Sequence, residues 1–163
     1  MVRDAHASEF DEIGRLRVGA YLAGGSMSPE SRYAPVLAAL GADGSGPVLV
    51  AADDDRVLGT VMLQFWPDGG HVLRGETEAE IRALAVAPEA QGRGIGRALL
   101  QAAIGLAARQ PGIRDLLLLT QPEMAAAQHL YRQAGFTRLP ERDWCPQAGV
   151  TLLAYALPLA AEE

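Results

Sequence analysis

The strongest candidate for chemistry is a glycine-rich segment over residues 91–97, with the sequence QGRGIGR. Alternating apolar residues precede it and helically spaced apolar residues follow it, so it joins a predicted strand to a predicted helix. Such a junction presents unpaired backbone amides to an anion at the positive end of a helix dipole. Arg93 and Arg97 lie in or beside the first turn of the predicted helix, where the helix dipole disfavours each cation by about 0.3–1 kcal/mol. A negatively charged ligand would offset that cost, so the two arginines indicate one. The alternative is a glycine turn capped by water, with both arginines facing solvent.

Two common nucleotide-binding motifs do not fit this segment. A dinucleotide-binding GxGxxG pattern that starts at Gly92 needs a third glycine where the chain has Arg97. It also expects an acid about 20 residues later, whereas the next predicted strand ends in Thr120 and Gln121. A P-loop needs Gly-Lys-Ser/Thr, which does not follow.

The segment resembles motif A of the GNAT acetyltransferase superfamily, whose signature is Q/R-x-x-G-x-G/A, at Gln91, Gly94 and Gly96. The resemblance implies that the loop amides hold the pyrophosphate of acetyl-coenzyme A, used as a co-substrate without a metal. It also implies that the preceding strand contacts the pantetheine arm and that the Val86 amide polarises the thioester. The implied cofactor-binding residues are Leu84, Ala85, Val86, Gln91, Gly92, Arg93, Gly94, Ile95, Gly96 and Arg97.

A second motif centres on Tyr131. The sequence Ala134-Gly135-Phe136 predicts a helix C-terminus with a left-handed glycine, in which Phe136 contacts Tyr131. The segment LYRQAGF also resembles GNAT motif B, LYxxxGF, in which the tyrosine is the general acid for the departing thiolate. Phenol and thiol pKa values of about 10 and 8.5 make full transfer before cleavage uphill by roughly 2 kcal/mol, so we expect transfer concerted with cleavage. The alternative is an ordinary core aromatic.

An amine acceptor also needs a base. A lysine-like amine with a pKa of about 10.4 is neutral in about one molecule in a thousand at pH 7.4, which adds roughly 4 kcal/mol to the barrier unless the site removes the proton. Glu80, and after it Glu78, lies on the strand before motif A, where many family members carry such a glutamate. An ion pair with Arg82 is the alternative, because a glutamate with an ordinary pKa near 4.3 is a weak base.

The remaining periodicities predict the elements that position these residues. In the predicted strand over residues 80–86, Ile81, Ala83 and Ala85 face one side. Pro67 and three glycines predict a mobile loop over residues 67–77. The predicted order begins with a strand over residues 1–5, a helix capped by Ser8, a helix from Ser28 and Pro29 to Gly41, and strands over 48–52 and 57–66. The strand 80–86, a helix after the glycine loop and a strand over 113–120 follow. The chain then has a helix from Pro122 and Glu123, strands over 136–144 and 150–157, and a frayed tail at Glu162 and Glu163. This order matches the GNAT fold, a mixed α/β sheet flanked by helices, as a single domain over residues 1–163.

Composition narrows the class of protein and its partners. The chain has 163 residues and a formal net charge of −6, which argues against a nucleic-acid footprint and weakly favours cationic substrates. No apolar run reaches membrane-spanning length, and the charged N-terminus lacks a signal-peptide core, so we expect a cytoplasmic protein without a membrane partner. The two apolar final strands could pair with a second subunit in a homodimer.

Other chemically active side chains are scattered. His6, His71 and His129 have no metal-ligand spacing, and Cys145, the single cysteine, is predicted to be an inert thiol. Asp143 and Trp144 border the last hairpin, where a place in the lining of an acceptor pocket explains them, and packing and solvation explain them equally well.

The sequence therefore predicts an acetyl-coenzyme A-dependent N-acetyltransferase. It would acetylate a primary amine of a small molecule or peptide by direct transfer in a ternary complex, with Tyr131 and Glu80 as the catalytic residues. The alternative is a non-catalytic acyl-coenzyme A sensor.

Overall fold

The computed structural model describes residues 1–159, and the predicted frayed tail at Glu162 and Glu163 lies outside them. The helices are α1 Phe10–Ala23, α2 Ala34–Ala39, α3 Ile95–Ala108 and α4 Ala125–Gln133. The strands are β1 Val2–Asp4, β2 Val48–Asp53, β3 Arg56–Phe65, β4 Glu78–Val86, β5 Asp115–Thr120, β6 Thr137–Arg138, β7 Trp144–Gln147 and β8 Val150–Pro158.

The backbone divides into two compact units. One comprises Met1–Met62 and Ala83–Ala103, and the other comprises Leu63–Arg82 and the chain from Ile104 onward. The single-domain prediction stays a prediction.

The first unit contains β1, β2, most of β3 and the end of β4, and these strands are neighbours in the sheet in that order. Strands β2 and β3 form the predicted hairpin, with Val48 opposite Met62 and Asp53 opposite Arg56. Apolar side chains from α1 and both hairpin strands make its core: Ile13, Val48, Val50, Val57 and Met62. The acidic turn between β2 and β3 leaves the apolar strand residues inside, as the sequence pattern predicts.

The second unit mixes strand directions. Strand β4 runs parallel to β5, from Glu78 opposite Asp115 to Ile81 opposite Leu118, and β5 runs antiparallel to β8. Strands β6 and β7 both pair with β8 in the antiparallel direction. A mixed sheet with four α-helices within residues 1–159 confirms the predicted α/β class.

Two predicted helix starts are wrong. Helix α1 begins at Phe10 rather than after a Ser8 cap, because a 3-10 turn over Ala7–Glu9 comes first and the Glu9 carboxylate accepts the His6 amide at 2.7 Å. Helix α2 begins at Ala34, since the segment after Ser28 forms a separate turn. Ser8 therefore lies inside a 3-10 turn that leads directly into α1, and Ser28 begins a turn that is separate from α2.

The predicted strand over residues 136–144 is also wrong. It divides into the two-residue strand β6, a 3-10 turn over Pro140–Arg142, and β7. Proline cannot donate to a strand ladder, so Pro140 ends the pairing. None of the helices over residues 1–159 is long and apolar enough to cross a bilayer.

Candidate active site

The glycine segment forms a loop between β4 and α3. A 3-10 turn over Pro88–Ala90 ends the strand, and Gly92 and Gly94 then adopt φ values of +83° and +78°, which side chains rarely tolerate. Helix α3 begins at Ile95, and the Ala98 amide makes its first hydrogen bond, to the Gly94 carbonyl at 3.0 Å. The two left-handed glycines therefore turn the chain directly into the helix.

The loop amides are available to a ligand. Across the described part of the chain, the amide nitrogens from Gly92 to Arg97 donate no hydrogen bond, as expected for a left-handed loop and the first turn of a helix. Gly92, Arg93 and Gly94 are exposed, as is Arg97. A run of free amides with two cationic side chains is the donor set that a diphosphate requires.

Strand β4 departs from regular geometry before it reaches the loop. Ala83 has φ +54°, an unusual value for a non-glycine residue that costs about 1–2 kcal/mol. Ala83 and Ala85 are buried, whereas Leu84 and Val86 are half-buried, so the predicted alternation holds over this part of the strand. The Gln91 side chain donates to the Val86 carbonyl at 3.4 Å. The roles of the Leu84, Ala85 and Val86 backbone stay predictions.

Tyr131 sits in the predicted helix cap. Gly135 has φ +102°, its amide donates to the Arg132 carbonyl at 3.0 Å, and the Phe136 amide donates to the Tyr131 carbonyl at 3.0 Å. These are the two hydrogen bonds of a Schellman motif. The Tyr131 and Phe136 rings meet edge to face with centroids 6.0 Å apart, and the Tyr155 ring lies 6.3 Å away. The cap thereby holds the Tyr131 ring, which is 6% exposed, in one place.

Replacing Gly135 with alanine is expected to loosen this cap. An added Cβ would lie 3.2 Å from Leu157 Cδ1 in a left-handed conformation, so we expect a loss of about 1–2 kcal/mol in the free energy of unfolding. Urea denaturation measures the loss. Gly149→Ala is the control, because its φ is +82° but nothing lies within 4 Å of the added Cβ. An equal loss in the free energy of unfolding for both variants would show that the close contact with Leu157 adds nothing to the backbone strain.

Glu80 is a buried carboxylate on β4, with 3% of its surface exposed. Burial raises its pKa, and the nearby charges of Arg82 and His71 and a hydrogen bond from the Gly70 amide oppose that rise without cancelling it. The Gly70 amide lies 2.7 Å from Glu80 Oε1, while Arg82 Nη1 donates to Gln64 Oε1 at 3.0 Å. A carboxylate with a raised pKa is a stronger base than an ordinary glutamate, which lessens the objection that a glutamate is too weak a base for an ammonium.

Glu78 has a different environment. Arg142 donates two hydrogen bonds to its carboxylate at 2.7 Å each, and the Arg74 amide donates a third at 2.8 Å. Burial raises the pKa of Glu78, but the hydrogen bonds and charge of Arg142 outweigh that effect and lower it overall. Because its oxygens are occupied, Glu78 is a structural ion-pair partner and Glu80 is the better candidate base.

The segment over residues 67–77, which precedes β4 and was predicted to be a mobile loop, is anchored by two buried residues. Val72 and Leu73 are 1% and 4% exposed and form a small core with Leu117 and Ala154. Gly70 allows the close approach of the backbone to Glu80, since an added Cβ there would lie 3.1 Å from Glu80 Oε1. In the sequence, the two adjacent apolar residues Val72 and Leu73 were the signal that this segment is anchored.

Two further side chains have local roles. Gln128 is buried, and its amide donates to the carbonyls of Gln121 and Pro122 at 3.1 and 3.0 Å while its oxygen accepts from the Tyr155 hydroxyl at 3.1 Å. Cys145 is exposed, with Sγ 3.4 Å from Thr151 Oγ1. Within residues 1–159, no three His, Cys, Asp or Glu side chains gather as metal ligands.

Comparison with known sequences confirms the predicted family. The profile of the Acetyltransferase (GNAT) family matches residues 11–136. A mycothiol acetyltransferase of Cellulomonas flavigena is 43% identical over 96 residues, which cover 55% of this chain and 26% of that protein. A mycothiol acetyltransferase of Geodermatophilus obscurus is 40% identical over 90 residues, which cover 55% and 28%. The match thus spans about a quarter of the length of these curated relatives.

Solved structures share the fold. A Salmonella typhimurium protein described as an acetyltransferase, solved with its cofactor acetyl-CoA, has a TM-score of 0.74 and 22% identity, with 99% of this chain and 95% of that chain covered. A phosphinothricin acetyltransferase of Sinorhizobium meliloti in complex with acetyl-CoA has a TM-score of 0.72 and 21% identity, with 98% and 88% covered. At these identities the likeness shows the fold alone.

Proposed function

This chain belongs to the GNAT acetyltransferase family, and we propose that it transfers an acetyl group from acetyl-coenzyme A to a primary amine by direct transfer in a ternary complex. The observation that carries the proposal is the run of free amides from Gly92 to Arg97, which fits a diphosphate. Arg93 and Arg97 add charge for the same ligand. Acetyl-coenzyme A, when bound, supplies an activated acyl group as a thioester.

The chain supplies three groups for the reaction. The Val86 amide polarises the thioester carbonyl, and Glu80 takes a proton from the incoming ammonium. The amine nitrogen then bonds to the acyl carbon as the carbon–sulfur bond breaks, and Tyr131 protonates the sulfur. The second proton of the nitrogen passes to the Tyr131 phenolate, which restores the phenol. The acceptor is an amine on a small molecule or peptide, and the curated relatives named mycothiol acetyltransferase are one guide to the panel of amines worth testing.

Binding and turnover together test the proposal. Isothermal titration is expected to show acetyl-coenzyme A binding, and a thiol-release assay over polyamines, amino sugars, aminoglycosides and peptides is expected to show turnover with at least one amine. Binding without turnover on any amine would favour the acyl-coenzyme A sensor. Absence of binding would contradict both functions.

Replacing Glu80 with glutamine is expected to lower kcat/KM about 10²-fold at neutral pH, because the glutamine amide cannot accept a proton. The wild-type rate is expected to fall as the pH drops through the raised pKa of Glu80, and that acid limb is expected to vanish in the variant. The pH profile of kcat/KM measures both effects. Glu76→Gln, an exposed acid near β4, is the control and should keep the wild-type profile. An unchanged acid limb in Glu80→Gln would remove Glu80 from the mechanism.

The same substitution is expected to raise thermal stability at neutral pH. A carboxyl group whose folded-state pKa lies above its unfolded value contributes stability at low pH and loses it as the pH rises through the folded pKa. Glu80→Gln therefore melts higher than the wild type at pH 7, and the difference closes below the unfolded pKa of about 4.3. If Glu80→Gln is more stable but less active than the wild type, Glu80 serves catalysis rather than the stability of the fold.

A further inference from the structure

The start of β3 is joined to the segment that leads from β4 into the glycine loop. The Ala87 amide donates to the Leu58 carbonyl at 2.8 Å, so the two strands stay paired up to the point where β4 has ended. Two residues away on each segment, Arg56 and Glu89 form an exposed ion pair, and Glu89 lies in the 3-10 turn before the glycine loop. The first residues of β3 therefore support the base of the loop.

Gly59 is a buried position on β3 where a side chain does not fit. An added Cβ would lie 2.9 Å from Leu99 Cδ1, 3.0 Å from Ile95 Cγ2 and 3.1 Å from the Ala85 carbonyl oxygen. Carbon atoms pack best at about 3.5–4.0 Å, and a close-packed interior leaves little room to give way. Gly59 does not have a positive φ, so the close approach of its neighbours, and not its own backbone conformation, requires glycine here.

The groups packed against Gly59 belong to both halves of the cofactor site under the proposed function, on which this inference rests. Ile95 is the first residue of α3, and its amide is one of the free donors from Gly92 to Arg97. Ala85 directly precedes Val86, whose amide is assigned to the thioester carbonyl. Because acetyl-coenzyme A must reach both segments at once, the distance between them decides how well it binds.

We propose that Gly59 is a positioning residue that sets the distance between the diphosphate-binding amides and the end of β4. Without a Cβ at residue 59, the first turn of α3 packs directly on β3 beside the Ala85 carbonyl. A methyl group there would push Ile95 and Leu99 outward, and the start of α3 would move with them. The loop amides would then meet the diphosphate poorly while the thioester is in place. Gly59 acts through α3 and β4 and does not touch the cofactor.

Gly59→Ala is expected to raise the Kd for acetyl-coenzyme A about tenfold by isothermal titration. With acetyl-coenzyme A saturating, the KM for the amine is expected to stay nearly unchanged, since the acceptor does not use the loop amides. Gly14→Ala is the matched control, because an added Cβ there would lie 3.0 Å from the Ala38 carbonyl oxygen, between α1 and α2. Both variants are expected to melt about 2–10 °C below the wild type, and the control should keep the wild-type Kd.

A second variant carries the test if Gly59→Ala does not fold. In Gly59→Ala/Leu99→Val the closest contact is relieved while those with Ile95 and Ala85 remain, so its Kd is expected to exceed that of Leu99→Val alone about threefold. A wild-type Kd in Gly59→Ala, or equal Kd values for the double variant and Leu99→Val, overturns the positioning role. So does an equally raised Kd in Gly14→Ala, since loss of stability then explains the effect. A wild-type protein that does not bind acetyl-coenzyme A instead overturns the proposed function itself.

Discussion

Replacing Tyr131 with phenylalanine is expected to lower kcat about 10²-fold while the Kd for acetyl-coenzyme A stays nearly constant. Phenylalanine keeps the ring contacts with Phe136 and Tyr155, so the helix cap and the packing survive. The substitution removes the hydroxyl whose proton would neutralise the departing thiolate. Steady-state kinetics and isothermal titration measure the two quantities.

Tyr155→Phe is the matched control for that result. The Tyr155 hydroxyl is also inside the protein, where it donates to Gln128 at 3.1 Å and accepts from Arg132 at 3.0 Å. Its removal is expected to cost about 1 kcal/mol of stability and to leave kcat nearly unchanged. If both variants lose rate equally, loss of a buried hydroxyl explains the effect. A fully active Tyr131→Phe would remove Tyr131 as the general acid.

Replacing both Gly92 and Gly94 with alanine is expected to weaken acetyl-coenzyme A binding about 10²-fold. Both glycines are left-handed, and nothing lies within 4 Å of an added Cβ at either position. The exposed loop can therefore relax in the free variant, and binding must restore a conformation that costs about 1–2 kcal/mol per alanine. Each 1.4 kcal/mol corresponds to about a tenfold change in Kd.

The control pair is Gly44 and Gly149, with φ values of +79° and +82° and the same open surroundings. Alanine at both positions introduces equal backbone strain away from the glycine loop. We expect the wild-type Kd for the control and a raised Kd for the loop variant, both by isothermal titration. Equal Kd values for the two double variants would mean that the loop conformation does not serve binding.

The sequence predicts the conformations of the glycine loop and the tyrosine cap well because both depend on local rules. Left-handed glycines at positions 92, 94 and 135 are favoured by their own backbone energetics, and the contact between Tyr131 and Phe136 follows from the geometry of one helix end. Residues within about six positions of each other are enough for those predictions. No distant part of the chain is needed.

The environment of Glu80 could not be predicted in the same way. Its burial depends on Gly70, ten residues earlier, and its distinction from Glu78 depends on Arg142, more than sixty residues later. Glycines before β4 indicated mobility, while the apolar pair Val72-Leu73 anchors that segment. The pKa difference between two glutamates on one strand is therefore a property of tertiary packing.

A crystal structure with acetyl-coenzyme A bound tests the central claim most directly. The account predicts diphosphate oxygens about 3 Å from amide nitrogens between Gly92 and Arg97, with the thioester sulfur within reach of the Tyr131 hydroxyl. A diphosphate bound elsewhere, with these amides facing water, would contradict it.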